Sequence, residues 1–272
     1  MRISQADLTT LSQSILSNRK YASTGLLPTT VEDVLRQEFS RHSSQAAAIS
    51  TAKRKLHNIC AAYLGNPDYA KALVDIDTAF TSGEESRLEF CRSMLASHDS
   101  THERMPIMEE LYRQVFAITG QPQSLADLAC GLNPFALPWM GLTRLKTYHA
   151  YDIIQPRIDL INRFFMKSGL PPSAYCRDIL VEPPAEHTDV TLLFKEAHRI
   201  EQRCHNANRA LFQALNTNWL VISLPPSSLS RQHDLADGMR RLVARSIDGF
   251  GWHMQELTFD SELIFIVQKS HG

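Results

Sequence analysis

Residues 126–134 read Ala126-Asp127-Leu128-Ala129-Cys130-Gly131-Leu132-Asn133-Pro134. A short apolar run that closes on small residues and one glycine is the pattern of a strand entering a tight turn. Without a Cβ, Gly131 lets a ligand approach the backbone closely. The turn has a single glycine, so it is not the G-x-G-x-x-G of dinucleotide-binding sheets. By itself it equally describes an ordinary strand-to-loop connection. Two later residues add weight. Asp152 closes the run TYHAYDI, 21 residues after Gly131, the usual interval to a carboxylate that accepts from ribose hydroxyls. Asp178 ends AYCRDIL, where a carboxylate can accept from an adenine amino group. Either aspartate alone is as readily a helix cap; a glycine turn and two strand-end carboxylates in this order rarely arise by accident.

Outward from this stretch, the texture after Gly120 alternates β-branched apolar runs with amphipathic ones: SLADLAC, TYHAYDI, PRIDLINRFFMKSG, AYCRDIL, DVTLLF, NANRALFQALN, WLVISL and GMRRLVARSI. That alternation predicts an α/β fold, a mostly parallel sheet with helices on both faces. WHMQELTF and ELIFIVQK, separated only around Asp260 and Ser261, predict a final antiparallel hairpin. Upstream, the pattern is helical. Thr29 and Glu32 have capping-box spacing ahead of VEDVLRQEFSRH. A second helix is expected from Ser43 or Ser44 to about Tyr63, its apolar stripe set by Ile49, Ala52, Leu56, Ile59 and Tyr63, with Gly65, Asn66 and Pro67 stopping it. DYAKALVDIDTAF, EESRLEFCRSML and PIMEELYRQVFAITG are weaker helical patterns. We therefore expect a helical unit over 1–104 and an α/β unit over 105–272.

The chain has 272 residues, 43% hydrophobic and 21% charged, with a formal net charge of −1. These values suit a packed globular protein and exclude a whole-chain polycationic nucleic-acid binder. The first 60 residues differ, with eight Lys and Arg against four Asp and Glu, a net +4. Lys53, Arg54, Lys55 and His57 crowd the polar side of the second helix, a patch suited to phosphates, though a solvated face has the same composition. No signal sequence or membrane span is visible. Five widely spaced cysteines and eleven histidines form no C-x-x-C pair and no ligand spacing, so we expect reduced thiols, no metal and a cytoplasmic protein.

Further segments carry a family likeness. They are Ile15-Leu16, Lys20-Tyr21, Thr30-Val31, Arg41-His42, Leu56-His57 and Ala62-Tyr63, then Ser100-Thr101-x-Glu103-Arg104, Leu111-Tyr112 and Phe116. The catalytic half adds Cys130-Gly131-Leu132-Asn133-Pro134, Asp152, Asp178, Phe194-Lys195, Leu215-Asn216 and Glu262-Leu263-Ile264. Over nearly its whole length the chain resembles the aminoglycoside-resistance methyltransferases of bacterial 16S ribosomal RNA. The resemblance implies a Rossmann-like, S-adenosylmethionine-dependent methyltransferase domain behind a helical N-terminal domain that docks on the small ribosomal subunit. It implies methyl transfer to N7 of a guanine in the decoding site, by a protein expected to be monomeric. Arg104 would hold the cofactor's methionine carboxylate, Ala129 and Gly131 would line the methionine end, Asp152 would take the ribose, and Asp178 with Ile179 would flank the adenine. Lys195 and Asn133 would be the catalytic residues. Lys20, Arg41, Lys53, Arg54, Lys55, His57 and Arg231 would face RNA. N7 carries a lone pair and no proton, so no general base is expected.

Two segments depart from the family pattern. After Phe194-Lys195 the family has Leu-Leu-Pro, and here Glu196-Ala197-His198 follows. After Ser223 the family's Phe-Pro-x-basic-Ser-Leu-Gly-Gly-Arg is replaced by Leu224-Pro225-Pro226-Ser227-Ser228-Leu229-Ser230-Arg231, with Gly238-Met239 only after a longer loop. That loop faces the target base in the family. Its divergence keeps two other readings open: the same fold acting on another RNA site or a small molecule, and an inactive RNA-binding homologue.

Overall fold

The structure, a computed structural model, describes residues 3–22, 25–61, 67–226 and 232–269. Among the described residues, eight α-helices precede the sheet: α1 (Gln5–Leu16), α2 (Arg19–Ala22), α3 (Pro28–Arg41), α4 (Gln45–Ala61), α5 (Tyr69–Thr81), α6 (Glu84–Ala96), α7 (Asp99–Arg104) and α8 (Met108–Thr119). The alternating part runs β1 (Ser124–Leu128), β2 (Thr147–Asp152), α9 (Gln155–Lys167), β3 (Ala174–Cys176), β4 (Thr188–Phe194), α10 (Ala197–Arg203), α11 (Ala207–Ala214), β5 (Thr217–Leu224) and α12 (Gln232–Ile247). It ends on the expected hairpin, β6 (His253–Thr258) and β7 (Leu263–Gln268).

The seven strands lie in the order β3-β2-β1-β4-β5-β7-β6. The first five pair in parallel, while β7 runs antiparallel to both β5 and β6. Strands β1, β4 and β5 are near-continuously buried, as strands covered on both faces must be. Strand order reverses between β1 and β4, so the crevice at their carboxyl ends is where this topology binds ligands.

Helices α1–α4 share an apolar core of their own, built from Leu8, Ile15, Val31, Val34, Leu35, Phe39, Ala52 and Leu56. Each of these apart from Ala52 contributes on the order of 1.5–3 kcal/mol by its burial. Helices α5, α6 and α8 pack differently. Ile76, Cys91, Leu95, Leu111 and Tyr112 belong to one cluster with Leu125, Tyr148, Leu192 and Ile264 of the sheet. Residues on both sides of 104/105 thus share one core, in which α5 packs on α9 and α6 on residues 133–139.

The capping box at Thr29 and Glu32 does not form. Pro28 starts α3, Leu27 is its N-cap without a side-chain bond, and Glu32 instead accepts from Gln5 and Thr9 of α1. Pro at the first helical position makes a side-chain cap less necessary, since one orphan N–H is already gone. Asp68 does cap α5, accepting from Lys71 N at 3.0 Å. Tyr63, Gly65 and Asn66, expected at the end of α4, lie outside the described residues.

Candidate active site

Strand β1 leaves the sheet through two left-handed residues, Ala129 at φ 49° and Gly131 at φ 53°. Asp152 at the end of β2 secures this turn. Its Oδ2 accepts from Gly131 N at 3.0 Å and from Arg157 Nη1 at 2.7 Å, and its Oδ1 accepts from Ile154 N at 3.1 Å. Both Asp152 and Arg157 are completely buried at the side chain. A Cβ on Gly131 would lie 3.3 Å from His98 Cε1. What approaches the backbone on that side is thus the His98 ring, arriving from the junction of α6 and α7. Burial, reinforced by the nearby Arg157 charge, pushes the His98 pKa down to about 4, and its Nδ1 has no hydrogen-bond partner.

Beside the turn is a cavity of about 370 Å³. Ala129, Asp152, Asp178 and Ile179 all line it, so four of the expected cofactor residues meet in one place. Lys55, Asn58 and Ile59 of α4 form one wall, and Glu196, Arg199, Ile200 and Arg203 at and along α10 form another. Asp178 Oδ2 accepts from Thr30 Oγ1 and from Arg203 Nη1, each at 2.7 Å, while Oδ1 accepts from Leu180 N at 3.0 Å. Glu196, where the family has leucine, is pushed up to about 7 by burial.

Arg104 and Asn133 lie in a polar cluster at the base of the crevice. Arg104 is 2% exposed. Its Nε faces Glu262 Oε1 at 2.9 Å, its Nη1 donates to Asn133 Oδ1 at 2.9 Å, and its guanidinium sits 4.4 Å over the Phe194 ring. Nη2 is buried without a partner. Asn133 spends its amide within the protein, accepting also from Tyr112 and donating to Asp127 at 2.8 Å. Burial pushes Asp127 up to about 7. Lys195 follows β4 in the left-handed region at φ 56°. Its Nζ meets Glu103 at 2.6 Å and Glu262 at 3.4 Å. An aspartate, an asparagine and a strained lysine thus converge at the ends of β1 and β4, where strain of this kind accompanies function.

The basic residues divide. Lys53, Arg54 and His57 are exposed on α4. Lys55 points the other way, to Glu38 at 2.8 Å and to the Arg203 carbonyl at 2.6 Å, so its charge is held inside rather than offered to solvent. Arg41 is 44% exposed at the side chain and pairs with the buried Glu38 at 3.4 Å. The Lys20 side chain and Arg231, with the divergent 227–231 segment, lie outside the described residues. Among the described residues no group of His, Cys, Asp and Glu is arranged to hold a metal, and no helix is long and apolar enough to cross a membrane.

Sequence reasoning assigned no role to His98, Arg157, Arg203 or Glu262, which organise this site. Arg157 had a local signal, lying five residues after Asp152 at the start of a helix. His98 stands only three residues before Thr101 of the quoted Ser-Thr-x-Glu-Arg run. Arg203 and Glu262 act across the fold, and spacing carries no trace of them.

Comparison with known proteins gives consistent matches. The profile of the ribosomal RNA methyltransferase family FmrO matches residues 17–266. The chain is 31% identical over 265 residues to a 16S rRNA (guanine(1405)-N(7))-methyltransferase of Micromonospora echinospora, covering 94% of this chain and 95% of that one. It is also 31% identical over 261 residues to the protein of the same description from Serratia marcescens, covering 94% and 96%. Among solved structures, the 16S rRNA methylase RmtB superposes with a TM-score of 0.77 at 28% identity, over 97% of this chain and 98% of that one. The 16S rRNA methyltransferase RmtF, solved with S-adenosyl-L-homocysteine, gives 0.77 at 26% identity over 98% and 100%.

Proposed function

The chain belongs to the FmrO family of ribosomal RNA methyltransferases, and from that membership we propose that it methylates N7 of guanine 1405 in the 16S rRNA of the small ribosomal subunit. The observation that carries the reading is the convergence of Ala129, Asp152, Asp178 and Ile179 on one cavity at the strand-order reversal, in a chain whose curated relatives of that description match nearly end to end. S-adenosylmethionine is the methyl donor, and its chemistry is an electrophilic methyl on a sulfonium. The residues present fit it. Arg104 Nη2 and His98 Nδ1 are buried polar atoms without protein partners beside the Gly131–Asn133 turn, and a bound amino-acid moiety offers a carboxylate to the first and an ammonium to the second. Asp152 would take the ribose and Asp178 with Ile179 the adenine.

The protein's part in the reaction is positioning. Guanine N7 attacks with its own in-plane lone pair, so no side chain has to remove a proton. His98, held neutral with a pKa near 4, is too weak a base for such a task at neutral pH. The work left is to hold the flipped base in line with the methyl and to exclude water. Lys195, held by Glu103 and Glu262, is our candidate for the residue facing the base. Asn133 acts one step back, by fixing Arg104. Helices α1–α4 supply the docking unit, through Lys53, Arg54 and His57. The enzyme works as a monomer in the cytoplasm, where ribosomal subunits are. The product carries a fixed positive charge, which opposes cationic ligands such as aminoglycosides at that base edge.

The test is transfer from labelled cofactor to purified 30S subunits and to naked 16S rRNA, followed by nuclease digestion and mass spectrometry of the nucleosides. We expect 7-methylguanosine from the subunits. A different methylated nucleoside would support the reading of the same fold on another site, and cofactor binding without any transfer would support an inactive homologue.

A further inference from the structure

Asp178 is a strand-end carboxylate that the N-terminal helices touch directly. Thr30 of α3 donates to its Oδ2 at 2.7 Å. Arg203, the last residue of α10, spans two carboxylates with one guanidinium: Nη1 to Asp178 Oδ2 at 2.7 Å and Nη2 to Asp33 Oδ2 of α3 at 2.7 Å. The Arg203 side chain is only 9% exposed and Asp178 only 3%. The backbone at Arg203 is held from the same side, its carbonyl accepting from Lys55 Nζ of α4 at 2.6 Å, and Arg41 of α3 reaches Cys204 Sγ at 3.7 Å.

The directions of these bonds matter. A carboxylate oxygen accepts about two hydrogen bonds, and Oδ2 has two, both tied to α3. Oδ1 has one protein donor, Leu180 N, which leaves it capacity for a ligand donor in the cavity that Asp178 lines. The planar fork of arginine can hold two carboxylates in a fixed relation, which a lysine cannot. A rotation or shift of α3 therefore moves the acceptor itself.

We propose that Arg203 is a positioning residue that links Asp33 of the docking helices to Asp178 in the cofactor cavity, so that the seat of α3 and the affinity for cofactor are coupled. The proposal rests on the reading of Asp178 as the adenine carboxylate. Coupling of this kind is reciprocal: whatever shifts α3 on the ribosomal subunit changes cofactor affinity, and cofactor changes the grip on the subunit by the same factor.

The experiment is calorimetric titration of the full chain with S-adenosyl-L-homocysteine, with circular dichroism and melting temperature recorded for each variant. Asp33 and Thr30 do not line the cavity, whereas Arg203 does, so Asp33→Ala and the near-isosteric Thr30→Val carry the test and Arg203→Gln accompanies them. Each is expected to weaken binding about five- to tenfold, close to the worth of one ordinary hydrogen bond because the effect reaches the ligand indirectly, with the fold intact. In an Asp178→Asn background the same Asp33→Ala change is expected to alter affinity less than twofold, because its effect passes through Asp178. Asp33→Ala and Thr30→Val both leaving affinity unchanged, while Asp178→Asn weakens it, would overturn the coupling alone. Equal losses from Asp33→Ala in both backgrounds would overturn it as well. Unchanged affinity in Asp178→Asn would remove Asp178 from the site and overturn the adenine reading together with this one.

Discussion

The His98 ring, buried against Gly131 and close to Arg157 and Arg104, keeps a pKa of about 4 in the folded chain, against about 6.5 when unfolded. The unfolded state therefore binds the extra proton first as pH falls. The stability that His98 contributes is complete above pH 6.5 and is lost as pH drops towards 4, at most about 3 kcal/mol in all. Asp127 and Glu196, both pushed up to about 7 by burial, act in the opposite direction over the same window. Total stability is then a poor probe, and the difference between wild type and His98→Gln is the informative quantity. Urea unfolding between pH 7.5 and 4 is expected to show His98→Gln gaining on wild type steadily below pH 6.5. A difference that stays constant with pH would mean that His98 titrates normally and is not buried as described.

Two elements far apart in sequence, α7 and the β6–β7 hairpin, are joined by Arg104 and Glu262, which are 2% and 0% exposed at their side chains. Removing one member of a buried ion pair leaves the other uncompensated, at about 3–5 kcal/mol. Arg104→Ala should therefore be strongly destabilising, and combining Arg104→Met with Glu262→Gln should recover much of that stability without restoring cofactor binding. Thermal unfolding and S-adenosylhomocysteine titration of the three proteins check this; a double variant that binds cofactor normally would take Arg104 out of the site. The same pair shows where reading the sequence stops. The alternation of TYHAYDI, PRIDLINRFFMKSG and DVTLLF made the parallel sheet legible, because a period of 2 or 3.6 is local. Asp152 and Asp178 were legible through their strand-end positions. That Thr30 reaches Asp178, or that His98 covers Gly131, depends on how α3 and α6 dock, and no spacing encodes that. That α5 packs on α9, and α6 on residues 133–139, is hidden for a related reason. The apolar face of α5 or α6 looks the same in sequence whichever neighbour it covers.

Helix α4 lies between solvent and the cavity. One face carries Lys53, Arg54 and His57 into solvent, and the other places Lys55, Asn58 and Ile59 against the cavity. Reversing the outer charges with Lys53→Glu and Arg54→Glu should weaken binding to 30S subunits and flatten its salt dependence, since fewer counterions are released on association. Affinity for S-adenosylhomocysteine should stay within twofold. Filter binding across a series of salt concentrations measures both, and an unchanged affinity and slope would make the patch a solvated face. The reaction itself takes place at one base. N7-methylated guanosine is opened by borohydride and cleaved by aniline, whereas unmodified guanosine is not, so the most direct measurement is to treat 16S rRNA from subunits incubated with the protein and S-adenosylmethionine, then locate the cuts by primer extension. One new enzyme-dependent cut is expected, at guanine 1405, and it should be weaker with Asp178→Asn when the cofactor is below saturation. Full methyl incorporation with no cut, or with a cut at another guanine, would contradict that expectation.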